Sequence, residues 1–175
     1  MMSVFAPDGA TLYVANANAG TISVVDVDAG EVTKELPGGA GMMAFVPTDD
    51  WQQAWGTAPA DDKIFLLDLA AGTKVKEIDV AGEPHGMVLS PDGSTLYVVQ
   101  RKPNQVAALD PQSGEVLRSI SAGERPDMLA ISPDGRQLFV TSRDESKLLK
   151  LSPDDLSLLG EVATDEEPHG VAYRP

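Results

Sequence analysis

A step of 42 residues runs through this chain. Asp26, Asp68, Asp110 and Ser152 are separated by it, as are Pro91, Pro133 and Pro175, and Pro84, Pro126 and Pro168. Self-similarity near 40 residues, with only short apolar runs inside each copy, fits a unit of four short strands that must stack on copies of itself. Such a unit cannot cover both of its apolar faces alone, which is why it comes in arrays.

The local chemistry inside each copy is that of strands and tight turns. Thr11–Val14, Thr95–Val99 and Gln137–Thr141 are β-branched and aromatic runs. Pro-Asp-Gly at 7–9, 91–93 and 133–135 presets one turn residue and frees the next for positive φ. A second turn recurs from Asp26 to Gly30, Asp68 to Gly72 and Asp110 to Gly114. Ile22 with Val24, and Ile64 with Leu66, alternate as half-buried strands do. No stretch is long enough between turns for a helical period to develop. The expected fold class is therefore all-β, a β-propeller of four-stranded antiparallel blades, about four per chain plus one extra inner strand. The repeats fall at about 4–44, 45–87, 88–129 and 130–171, with the start of a fifth at 172–175. Leu12, Val14, Ile22, Val24, Leu96, Val98, Leu138 and Val140 are the expected core.

Copies one and three, PDGATLYVANANAGTISVVDVDAGEV and PDGSTLYVVQRKPNQVAALDPQSGEV, resemble the YVTN repeat family, with TLYVAN at 11–16 in the place of its nominal motif. Copy two departs at Trp51–Thr57, read here as a replaced strand with two extra residues before Trp55. The resemblance implies propellers commonly of seven blades, often periplasmic or extracellular, in surface proteins, lactonase-like enzymes and cofactor-dependent oxidoreductases. Pro7 and Pro175 lie four repeat steps apart. Three arrangements follow as expectations: a piece of a longer array, a four-bladed monomer, or an open arc that pairs with a copy of itself as a homodimer. In the paired case, Met2–Ala6 and Gly170–Arg174 compete for one inner-strand slot.

Composition removes several functions. With no cysteine there is no disulfide, thiolate metal site or cysteine nucleophile. A net charge of −14 repels phosphate backbones, so no nucleic-acid partner is expected. No window reaches the ~18 apolar residues of a membrane helix, and MMSVFAPDG lacks the basic and apolar segments of a signal peptide. G-x-S-x-G, H-E-x-x-H and the P-loop pattern are missing. Gly39–Ala44 matches G-x-G-x-x-A but lies between an outer and an inner strand rather than before a helix.

One constellation stands out. The only two histidines, His85 and His169, both sit in Pro-His-Gly, two repeats apart. Their counterparts are Asp127 and Met43. Inner strands line a propeller's channel, so these side chains are expected at its mouth, with Arg125 and Glu83 beside them. Imidazoles in pairs take a divalent metal or an anionic ligand. A turn built by Pro-His-Gly for purely structural reasons is the alternative. The expected function is a noncatalytic binding or scaffolding module for a protein or small molecule, with part of an enzyme propeller, a lactonase-like hydrolase or a cofactor-dependent oxidoreductase, as the second reading. No resident cofactor is expected beyond that divalent metal.

Overall fold

The computed structural model describes residues 3–173. Sixteen strands form four four-stranded antiparallel sheets, each a β-propeller blade. Blade 1 comprises β1 (Ser3–Phe5), β2 (Thr11–Asn16), β3 (Thr21–Asp26) and β4 (Glu31–Pro37). Blade 2 comprises β5 (Phe45–Pro47), β6 (Gln53–Ala58), β7 (Lys63–Asp68) and β8 (Thr73–Asp79). Blade 3 holds β9 (Pro84–Leu89), β10 (Leu96–Gln100), β11 (Gln105–Leu109) and β12 (Val116–Ser121). Blade 4 holds β13 (Pro126–Ile131), β14 (Leu138–Ser142), β15 (Lys147–Leu151) and β16 (Leu158–Ala163). Within each blade the strands pair in chain order. One 3-10 turn, Pro59–Asp61, is the only helical element among the described residues. None is long and apolar enough to cross a membrane.

Side-chain carboxylates close the turns. Asp8 Oδ1 accepts the N–H groups of Ala10 and Thr11, both at 2.9 Å, while Gly9 takes a φ of 69°. Copy two keeps the same turn without its glycine. Asp50 accepts the Gln52 N–H at 3.0 Å, and Trp51 stands in the glycine position with a φ of 54°. This corrects the expected insertion before Trp55. β6 begins one repeat step after β2, so Gln53 matches Thr11 and Trp55 matches Tyr13 with no extra residue. The irregular sequence reflects a left-handed tryptophan, a conformation that costs a bulky residue energy. Trp51 recovers some of it through contact with the Tyr13 ring, 6.0 Å between centroids.

The chain divides into two compact units, Met1–Glu83 and Pro84–Pro175. Each has its own core, and the two cores follow one packing rule. In the first, Tyr13, Ala15, Ile22 and Val24 of blade 1 meet Phe45, Ala54, Phe65 and Leu67 of blade 2. In the second, Tyr97, Val99, Val106 and Ala108 of blade 3 meet Leu138, Val140, Leu149 and Leu151 of blade 4. Strand alternation supplies the faces: in each unit the first blade offers one set of positions and the second blade offers the intervening set. Of the expected core, Ile22, Leu96, Val98, Leu138 and Val140 are fully buried. Leu12, Val14 and Val24 are half-buried. Leu12 and Val14 point away from the face of β2 that blade 2 covers.

The expected fifth inner strand does not form over the described part of 172–175. Residues 168–173 carry no strand, and Arg174 and Pro175 lie outside the described residues, as does Met2. The reason is pairing. Every inner strand of the four blades bonds to the second strand of its own blade, and no such second strand is present among the described residues after Pro168. The segment is instead held on blade 4, where Thr141 Oγ1 donates to the His169 carbonyl at 3.1 Å and Tyr173 lies against Phe139.

Candidate functional site

A recurring backbone kink aims the inner strands. Gly41, Glu83, Arg125 and Glu167 stand one repeat apart, and all four are left-handed, with φ of 73°, 61°, 51° and 51°. The next residues in three of the copies are Pro84, Pro126 and Pro168, so each histidine or aspartate follows a fixed proline.

In the second unit this arrangement gathers three of the five residues singled out from the sequence. Asp127, at the start of β13, is fully buried. His85 Nε2 lies 3.3 Å from its Oδ1, and His169 Nε2 lies 3.4 Å from its Oδ2. The His169 side chain is 45% exposed, whereas that of His85 is 4% exposed. His169 is thus the part of the cluster that meets solvent. A fourth member was missed in the sequence. Arg101, one residue past β10, donates from Nη2 to Asp127 Oδ1. A signal for it existed. Arg143 occupies the same place one repeat later, and its Nη2 donates to Glu167 Oε2 at 2.8 Å. In both blades an arginine after the second strand reaches toward the next inner segment.

Arg125 does not join this cluster. Arg125 stays on the exposed rim, where its guanidinium approaches Asp144 at 3.5 Å and its backbone N–H donates to Asn104 Oδ1 at 2.9 Å. Glu83 ends the first unit with its N–H on Asp62 Oδ1 at 2.8 Å.

Two glycines show how closely the inner strands approach. A Cβ on Gly86 would sit 2.4 Å from the Asp127 carbonyl oxygen and 2.8 Å from Met128 Cα, so β9 meets β13 backbone to backbone. Around Gly170, the third residue of the second Pro-His-Gly, there is open space.

Burial above all, and then the Arg101 charge, push the His85 imidazole down to about 4 from its ordinary 6.5, while Asp127 pulls the other way. His85 is therefore neutral at pH 7. Its folded-state value lies below its unfolded one, so the unfolded chain takes up the proton first as pH falls. Stability is expected to be full above about pH 6.5 and to drop between 6.5 and 4, by about 3 kcal/mol. Urea unfolding across that window measures it. A His85→Leu variant should show a flatter profile there, and an unchanged slope would remove His85 as its source.

Residues 3–144 match the family model described as SMP-30/Gluconolactonase/LRE-like region. The match includes His85, Arg101 and Asp127 and ends before His169. No curated protein matches. Among solved structures, Kuenenia stuttgartiensis hydrazine synthase is similar, with a TM-score of 0.79 and 26% identity over 94% of this chain and 48% of that one. This chain spans about half the length of that structure.

Proposed function

This chain belongs to the SMP-30/gluconolactonase/LRE-like family, and on that premise we propose that its second unit binds a small hydroxylated carboxylate or the corresponding lactone at Asp127. The observation that carries this reading is the state of that carboxylate. Oδ1 takes the Arg101 guanidinium, while Oδ2 is buried and, among the described residues, accepts no hydrogen bond, with His169 Nε2 at 3.4 Å. A buried acceptor of this kind costs energy until a donor reaches it. A ligand hydroxyl supplies that donor, and the half-exposed His169 imidazole is placed to meet the ligand's carbonyl or carboxylate. The YVTN-like pattern of copies one and three supports the propeller scaffold for such a site and adds no chemistry of its own.

The same cluster is a poor fit for a divalent metal. The guanidinium already on Asp127 opposes a second cation at the same carboxylate. Among the described residues, no group of three or more His, Cys, Asp or Glu side chains is arranged to hold one. Titration with Zn²⁺ should give heats that a His85→Ala, His169→Ala double variant reproduces.

A hydrolytic reading is favoured by the His169–Asp127 contact together with the family. An imidazole backed by a buried carboxylate accepts a proton from attacking water. The water oxygen bonds to the lactone carbonyl carbon, the ring C–O bond breaks, and the proton passes to the departing alkoxide. Thermal-shift titration with an aldonolactone and its hydroxy acid, run beside a pH-stat assay, separates the readings. Binding without acid release, lost at least tenfold in His169→Ala, is the expected result. Acid release above the spontaneous rate that vanishes in His169→Ala would establish the hydrolytic reading instead. No binding by either compound would sink both.

A further inference from the structure

Pairing within each unit uses one face of every blade and leaves four faces over; those of blade 1 and blade 4 carry half-buried and exposed apolar side chains. In the first unit, blade 2 covers Tyr13, Ala15, Ile22 and Val24, so Leu12, Val14 and Val25 form the other face of blade 1 and are half-buried. Phe5 pairs with Leu12 on that same face and is 54% exposed. In the second unit, blade 3 covers Leu138, Val140, Leu149 and Leu151. At its inner end the opposite face of blade 4 holds residues 168–173 through Thr141 and Phe139; beyond them it carries Leu148, half-buried, and Val162, which pairs with Leu148 and is 64% exposed.

These faces are the two halves of the contact already made twice. Phe139, Thr141, Leu148 and Lys150 occupy the repeat positions of Tyr97, Val99, Val106 and Ala108. Leu12, Val14, Ser23 and Val25 occupy those of Leu138, Val140, Leu149 and Leu151. We infer that blade 4 of one copy packs on blade 1 of a second copy of this chain through these faces, in the head-to-tail sense in which blade 3 packs on blade 4. Charge agrees: Lys150 lies on the first face, and Glu35, paired with Ser23, lies on the second. Exposed apolar faces of this kind mark association sites, and a heterologous contact between two copies closes when it is made twice. Neither face includes Asp127, His85 or Arg101, and the ligand site touches the blade 4 face only where Thr141 holds the His169 carbonyl, so association and ligand binding are read by separate measurements.

Light scattering coupled to gel filtration on the full chain tests it. Wild type should run at twice the monomer mass. Leu148→Glu and Val14→Glu, each folded by circular dichroism, should run as monomers. An equimolar mixture of the two should regain the doubled mass, because each variant keeps the face that the other has lost. Where either variant fails to fold, the exposed substitutions Val162→Glu and Phe5→Glu place the same charges on the same two faces. Wild type that stays monomeric at its highest soluble concentration overturns the proposal. So does either variant that stays dimeric on its own, since that would show a contact made by like faces, and so does a mixture that stays monomeric.

Discussion

Asp127→Ala is expected to cost about 3–5 kcal/mol of folding stability, the penalty for removing one partner of a buried charged pair. The carboxylate is fully buried, and the Arg101 side chain that donates to it is only 16% exposed. Truncation takes the Asp127 carboxylate away from a guanidinium that lies largely out of water. His85, 4% exposed and 3.3 Å from the same oxygen, loses the one charge nearby that favours its protonation. Arg101→Ala should cost a similar amount, because it leaves the fully buried carboxylate without its guanidinium. Equilibrium urea unfolding reads both effects as a lower midpoint with little change in slope. An Asp127→Ala variant within 1 kcal/mol of wild type would show that the cluster does not hold the inner strands.

Gly86→Ala should be the other severe substitution. The added methyl would lie 2.4 Å from the Asp127 carbonyl oxygen and 2.8 Å from Met128 Cα. Both belong to backbone that cannot rotate away. Either β9 or β13 must shift, and overpacking of this kind costs about 1–3 kcal/mol or more. The shift also displaces Asp127, so ligand binding should weaken along with stability. Gly170→Ala is the internal control. The same Pro-His-Gly sequence surrounds it, yet open space lies around its Cβ position, and its effect should stay within about 0.5 kcal/mol. Equal losses for the two variants would mean that the glycines serve the local turn rather than the strand contact.

The blades were readable in the sequence because turn chemistry repeats at a fixed step. Pro-Asp-Gly and D-x-x-x-G place the strand ends, and alternation within each strand assigns its faces. Copy two was misread at Trp51, where a side-chain contact stabilises a backbone conformation that sequence normally assigns to glycine. The burial of Leu12 and Val14 was overestimated for a related reason. Alternation identifies a face and says nothing of whether a neighbour covers it. His85, Asp127 and His169 were legible as one set because they share a repeat position. Arg101 was not, since nothing in a loop after β10 fixes the direction of a long side chain. Only the parallel with Arg143, one repeat later, pointed to it. Arg125 is close to the set in sequence, yet its guanidinium lies on the exposed rim beside Asp144.

The chain contains just two histidines, so its imidazole resonances report on the site without mutagenesis. Proton–carbon correlation spectra of the two rings, recorded against pH and then against an added hydroxy acid or lactone, address the Asp127 site most directly. The expected outcome has two parts. One imidazole, His85, stays neutral down to about pH 4, and the ligand shifts the other, exposed ring in a saturable way that Asp127→Asn abolishes. Two histidines titrating together near their ordinary 6.5, with neither moved by either ligand, would contradict a ligand site built on Asp127.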